Sequence, residues 1–90
     1  MSQMILFHAH MHQIELANHD LNLLVALRAL LEEGSVTAAG RRLGISPSAT
    51  SHALSRLRQA FNDPLLVRDG NRMLPTPRAS ILRPQLERVL

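Results

Sequence analysis

This 90-residue chain predicts a mainly helical domain carrying one small β-hairpin. Three observations carry the prediction. Apolar residues recur at helical spacing in four stretches. A serine, threonine or aspartate stands just ahead of each stretch, where a helix needs its first free N–H groups satisfied. One further run, LLVRDGNRMLP, breaks into two short β-prone pieces around Asp69-Gly70.

Asp20 caps the first helix, in which Leu24, Leu27 and Leu31 form a stripe widened by Leu21, Leu23 and Leu30, and Gly34 ends it. Ser35 caps a second, of only about two turns, with Val36, Ala39 and Leu43 on one face, Arg41 and Arg42 pointing away, and Gly44 at its end. Alone it would not be stable, so it must lean on its neighbours. Ser46 caps a third, with Pro47 in the first position where a missing N–H costs nothing, and this helix runs to about Phe61 before Asn-Asp-Pro breaks it. Two strands are expected over 65–68 and 73–75. Thr76 and Pro77 then open a last helix, with Leu82, Leu86 and Val89 or Leu90 on one face and Pro84 expected to kink or delay it.

Composition narrows the function. One domain of this size has a small core and little room for a catalytic cleft. With no cysteine, disulfides and thiolate metal sites are excluded. No segment approaches the roughly 20 apolar residues of a membrane span, and no export-signal pattern is present, so a soluble cytoplasmic protein with no membrane partner is expected. Residues 1–33 hold Arg28 against Glu15, Asp20, Glu32 and Glu33, a net −3, whereas residues 34–90 hold nine arginines against Asp63, Asp69 and Glu87, a net +6. Every basic residue is arginine, whose planar fork suits phosphate and guanine edges. Two phenylalanines and no Tyr or Trp leave few stacking platforms for single strands, which favours duplex as a nucleic-acid partner.

Residues 1–19 show no sustained periodicity and read as a flexible extension. Their HAHMH run (His8, His10, His12) could bind a divalent metal, but no turn signal or nearby carboxylate organises it, so a solvated arm is expected and no metal site. A translation start at Met11 is an equal reading.

The third helix holds the informative pattern. With Thr50 set at 0° on a helical wheel, Leu54, Leu57 and Phe61 fall within roughly 40° of it. Ser48, His52, Ser55 and Gln59 lie between roughly 140° and 200°, with Ser51 and Arg56 on the flanks. These are poor helix formers, yet their short side chains would let the backbone approach base edges in a major groove while arginines farther along meet phosphates. A solvated polar face would show serines as well; the order of the capped segments and the charge asymmetry favour DNA. A short helix, a turn at 44–46 and a longer helix make a helix-turn-helix, with the hairpin as a wing carrying Arg68 and Arg72 on either side of its turn. His52 has Ser48, Ser51 and Ser55 at helical neighbour spacing, but no acid orients its imidazole and no oxyanion feature accompanies it, so no enzyme and no cofactor are expected.

The stretch DLNLLVALRALLEEGSVTAAGRRLGISPSATSHALSRLRQAFNDPLLVRDGNRMLPTPRA resembles the N-terminal DNA-binding domain of LysR-type transcriptional regulators, nearest the nodulation-regulator branch. The resemblance implies a winged helix-turn-helix, a three-helix core plus hairpin wing, followed by a linker helix that pairs with a second subunit. Residues 20–75 would be the DNA-binding unit and 76–90 the start of the linker. Implied partners are double-stranded DNA and a second copy in a homodimer, or a dimer of dimers, with RNA polymerase another that a regulator could meet. The expected DNA-binding set is Thr37, Arg41, Ser46, Pro47, Ser48, Ser51, His52, Ser55, Arg56, Arg58, Arg68 and Arg72; the expected dimerisation set is Leu82, Leu86, Val89 and Leu90.

Three departures from the family pattern stand out. Pro47-Ser48 replaces Gln-Pro, which removes a base-reading glutamine. Ala39-Gly40 replaces Ala-Ala, which should loosen packing by roughly 0.5 to 1 kcal/mol. Thr50 replaces a buried aliphatic, so its hydroxyl needs a partner, expected to be a carbonyl one turn back. The family also carries a C-terminal effector-binding domain beyond the linker, and this sequence stops within the linker helix, as an excised domain or a truncated product. The alternative function is a protein-interaction module that pairs with full-length regulators through the linker helix and disables them.

Overall fold

The computed structural model describes residues 20–90; the expected N-terminal extension, with its histidines, lies outside them. Helix α1 spans Leu21–Glu33, α2 Val36–Leu43, α3 Pro47–Phe61, strand β1 Leu66–Asp69, β2 Arg72–Pro75 and α4 Pro77–Val89. All four helices start at the residue types that the sequence marks. Asp20 accepts the Asn22 N–H at 2.8 Å, and Ser35, Ser46 and Thr76 each accept, at 3.1 Å, the N–H three residues on. Gly34 and Gly44 end α1 and α2 in the left-handed conformation, which costs glycine nothing sterically.

One core unites the elements. Leu24, Leu27, Leu30 and Leu31 from α1, Ala39 from α2, and Leu54, Leu57 and Phe61 from α3 meet Leu65, Leu66, and Ala79, Leu82 and Leu86 from α4. The stripe predicted for α3 is therefore the buried one. The strands pair antiparallel in the register Leu66↔Pro75 through Asp69↔Arg72. The turn residues are thus Gly70-Asn71, one place later than the Asp-Gly pair suggests, with Gly70 at φ 62°. A glycine leading a two-residue hairpin turn suits the type that needs positive φ at its first position. The Met73 N–H donates to the Gly34 carbonyl at 3.0 Å, so the end of α1 holds the outer edge of the wing.

Two sequence departures turn out to be one feature. A Cβ added at Gly40 would lie 2.7 Å from Thr50 Oγ1 and 3.1 Å from the Ile45 carbonyl oxygen. Gly40 therefore marks close packing of α2 on α3, which corrects the expected loosening. Thr50 is fully buried and its hydroxyl donates to the Ser46 carbonyl at 2.9 Å, the partner its burial demands.

Pro84 neither delays nor interrupts α4. It removes the N–H that would bond the Ser80 carbonyl, but both residues are exposed, where water can satisfy that group. Buried Leu82 and Leu86 anchor the helix on either side.

Candidate nucleic-acid interface

The first three turns of α3 face outward on one side. Pro47, Ser48, Ser51, His52, Ser55, Arg56 and Gln59 are all exposed, and the only large side chains among them come late. Ser46 shares this end: its hydroxyl oxygen accepts the cap bond from Ala49 and lies 3.2 Å from that of Ser48. Hydroxyl groups, an imidazole and a guanidinium thus share one surface that no other described part of the chain covers. Thr37 and Arg41 on α2 are exposed too.

The arginines divide by what they touch. Arg42 Nη1 reaches Glu32 at 2.9 Å and Glu33 at 3.3 Å, and these hydrogen bonds raise its pKa above the usual guanidinium range. Being on the surface, the pairs add little stability but remove Arg42 as an unattached cation. Arg58, expected to meet DNA, turns inward: its Nε donates to the Pro64 carbonyl at 2.8 Å and its Nη2 to the Leu66 carbonyl at 2.9 Å. It clamps the chain leaving α3 to the start of the wing. No sequence spacing announces this, because the acceptors are main-chain groups.

The clamp holds an unusual turn. Asn62 and Leu65 both have positive φ, 49° and 62°. The Leu66 N–H reaches back to Pro64 at 2.6 Å, closing a three-residue turn around Leu65. A leucine in that conformation costs roughly 1–2 kcal/mol, while burying its side chain contributes roughly 1.5–3 kcal/mol, so the core contact holds it. Asp63 Oδ2 fixes the same turn by accepting the Leu65 N–H at 2.8 Å and the Thr76 hydroxyl at 2.7 Å. These two bonds hold the Asp63 carboxyl below the ordinary carboxylate range, Thr76 making the larger contribution.

On the wing, alternation separates the two expected arginines. Arg68 shares a face with Leu66, Met73 and Pro75, whereas Arg72 shares the opposite face with Val67, Asp69 and Leu74. Both are exposed, but the hairpin cannot present them in one direction. On α4, Leu82 and Leu86, expected to face a second chain, are instead packed in this chain's own core. Leu90 packs against that core as well, and the exposed apolar residues of α4 are Ile81 and Val89, at 61% and 46% exposure.

Beside the exposed face runs an open groove of about 410 Å³. Its α3 wall is the stripe Ala49, His52, Ala53 and Arg56, its α1 wall includes Asp20, Asn22, Leu23 and Ala26, and Leu43 and Ile45 close one end. Sequence reasoning missed it, since alanines at helical spacing announce nothing by themselves. Among the described residues no cluster of His, Asp or Glu is placed to hold a metal, and no helix is long and apolar enough to cross a membrane.

Comparison with known proteins places these features in a family context. Residues 21–80 match the model of the "bacterial regulatory helix-turn-helix protein, lysR family". The HTH-type transcriptional regulator SyrM of Rhizobium etli is 54% identical over 79 residues, 88% of this chain and 24% of that protein. As only 71 residues lie from Asp20 to Leu90, at least eight matched residues precede Asp20. Nodulation protein D 1 of Rhizobium meliloti (strain 1021) is 49% identical over 71 residues, 79% of this chain and 23% of that protein. The chain thus spans about a quarter of the length of these curated relatives. Among solved structures, a probable transcriptional regulator from Pseudomonas aeruginosa superposes with TM-score 0.78 at 47% identity, over 83% of this chain and 25% of that one. The BenM_DBD chain of its complex with benA site 1 DNA shares the fold, with TM-score 0.73 at 24% identity over 79% of this chain and 80% of that one.

Proposed function

Since the chain belongs to the lysR family of bacterial regulatory helix-turn-helix proteins, we propose that it is the duplex-DNA-binding part of a transcription regulator, with α3 seated in the major groove. The observation that carries this reading is the hydroxyl-rich face of α3, flanked by Arg56, which no other described residue covers. A major groove admits one helix and offers donor and acceptor patterns that short polar side chains can reach only if the backbone comes close. Ser48, Ser51 and His52 then face base edges, Ser55 and Arg56 lie farther along, and Ser46, Pro47, Thr37 and Arg41 approach the flanking phosphates. Arg58 leaves this set and becomes a positioning residue, since its donors already serve the turn after α3. One wing arginine, Arg68 or Arg72, reaches the neighbouring backbone, because they stand on opposite faces. The DNA seen with the same fold in the BenM_DBD complex supports the partner class.

Residues 20–75 form the DNA-binding unit in this proposal, and the helix from Pro77 is the beginning of a linker through which two copies pair on an imperfect palindrome. With Leu82 and Leu86 occupied internally, Ile81 and Val89 are the apolar residues α4 has left for a second chain. Contact with RNA polymerase would belong to the assembled regulator. The relatives are named as regulators and a nodulation protein, and nothing in them favours a module that acts by disabling others.

Selection of preferred duplexes from a random pool, followed by affinity measurements against salt, tests the proposal. Affinity should fall steeply as salt rises, through release of phosphate counterions. Arg56→Ala should weaken the selected duplex by about 5- to 150-fold if it reads a base, and less if it meets phosphate. A salt-independent affinity, or no enrichment of any sequence, overturns the reading.

A further inference from the structure

The wing is too short to stand alone. Two strands of four residues, Leu66–Asp69 and Arg72–Pro75, make a hairpin that would be marginal in water by itself, so its hold on the body decides where its arginines go. The outer strand is held by main chain, the Met73 N–H donating to the Gly34 carbonyl at 3.0 Å. The base is held by a residue that two elements share. Leu65 and Thr76 flank the strands, and the Thr76 N–H donates to the Leu65 carbonyl at 2.9 Å, one rung below the pair Leu66↔Pro75. The Thr76 hydroxyl accepts the Ala79 N–H at 3.1 Å as the cap of α4 and gives its single proton to Asp63 Oδ2 at 2.7 Å. Asp63 follows the end of α3, its own N–H bonded to the Arg58 carbonyl at 3.2 Å.

We infer that Thr76 joins α4 to the wing so that the two move as one body, and that Asp63 ties this body to the end of α3. Thr76 is then a positioning residue for the wing's contact with DNA, and in that respect the inference rests on the DNA-binding reading.

Three observations carry it. The hydroxyls of Ser35 and Ser46 cap helices too, but among the described residues neither donates to a carboxylate in another part of the chain, as Thr76 does. A bond to an ionised acceptor is about twice as strong as a neutral one, so this one is hard to give up when α4 shifts. Asp63 Oδ2 also accepts the Leu65 N–H at 2.8 Å, so Thr76 holds the residue before β1 both through its main chain and through the carboxylate. Arg58 ties the same end of α3 to β1 through the Leu66 carbonyl at 2.9 Å, so α3, β1 and α4 meet at one knot. A shift of α4, such as pairing with a second copy would impose, therefore reaches the base of the hairpin directly, and Arg68 and Arg72 move with it.

Thr76→Val keeps the branched shape and the main-chain rung but removes both hydroxyl bonds. Amide hydrogen exchange of the free chain reads the tie. Loss of a cap changes an opening equilibrium about fivefold, and here the change should appear at Ala79 and also in the wing, at the Met73 amide, which is bonded to Gly34 and not to Thr76. Thr76→Ser keeps the hydroxyl and should keep exchange slow. Asp20→Ala removes a cap at the far end of α1 and should speed Met73 no more than Leu27 in the core, which reports opening of the whole fold. Asp63→Ala leaves the cap hydroxyl in place, yet should also quicken Ala79, and it serves if Thr76→Val does not fold. With DNA, the slope of log affinity against log salt for an arbitrary duplex should fall by about one unit in Thr76→Val and keep the parent value in Thr76→Ser. If Met73 speeds no more than Leu27 in Thr76→Val, the inference is overturned. Faster wing exchange with an unchanged slope, in a parent that binds duplex, overturns the positioning role. A parent that binds no duplex at any salt sinks the DNA-binding reading instead, and the exchange rates alone then decide the tie.

Discussion

The two joints at either end of α3 are built in opposite ways. At its start, α2 and α3 meet through steric fit: Gly40 leaves only the space that Thr50 fills, and the Thr50 hydroxyl at that contact donates to the Ser46 carbonyl at the head of its own helix. At its end, the chain turns through two residues of positive φ and is held by polar bonds from Arg58 and Asp63. The first joint resists change in volume and ignores pH. The second tolerates a strained backbone only while a cation and a carboxylate keep their partners.

The largest expected effect breaks the first joint. In an exposed helix Gly→Ala stabilises by up to about 1 kcal/mol. At Gly40 the new Cβ would meet Thr50 Oγ1 and the Ile45 carbonyl, an overpacking that costs about 1 to 3 kcal/mol, so Gly40→Ala should lower stability in urea unfolding. In a Thr50→Ala background the closer obstruction is gone and the Ile45 carbonyl at 3.1 Å remains, so the same change should cost clearly less. That reduced loss is the signature of the pair; equal losses in both backgrounds would mean the residues are independent.

A smaller effect is expected at the second joint. Arg58→Ala removes two charge-assisted bonds to the Pro64 and Leu66 carbonyls and should cost about 1 to 2 kcal/mol. If Arg58 only positions the wing, the slope of log affinity against log salt for duplex DNA stays as in the parent protein. A phosphate contact would instead reduce the slope by about one unit. The measurement separates a clamp from a DNA ligand.

This contrast also explains what the sequence revealed. The caps at Asp20, Ser35, Ser46 and Thr76 and the buried stripe of α3 were legible because each is a local rule: one side chain, one free N–H, one helical period. The Thr50 bond was legible for the same reason. The Gly40–Thr50 fit was not, because it joins two helices, and each residue by itself reads as a weakness. Arg58 belongs to the expected DNA-contacting set, but position in a helix does not say where a long side chain ends, and its donors end on the Pro64 and Leu66 carbonyls. Leu82 and Leu86 form the stripe expected of them, yet a stripe does not say which body buries it. In the candidate interface, the exposed serines and Arg56 followed from the wheel, whereas the groove beside them depends on α1, which no pattern within α3 reports.

The subtlest way to sharpen the comparison is pH. Asp63 has a depressed pKa in the folded chain, so its ionised form is preferred there over the unfolded state, where an aspartate titrates near 3.9. Such a group stabilises the fold at every pH above that unfolded value, and the contribution is lost as pH falls through the folded pKa. Asp63→Asn should therefore lower the thermal midpoint at pH 7, and the gap to the parent should narrow below about pH 4 as the parent's own carboxyl takes up its proton. Gly40→Ala, acting through volume alone, should keep the same gap across that range. If Asp63→Asn showed a constant gap too, the carboxylate's charge would be irrelevant to the turn and its shape alone would be holding Leu65 in place.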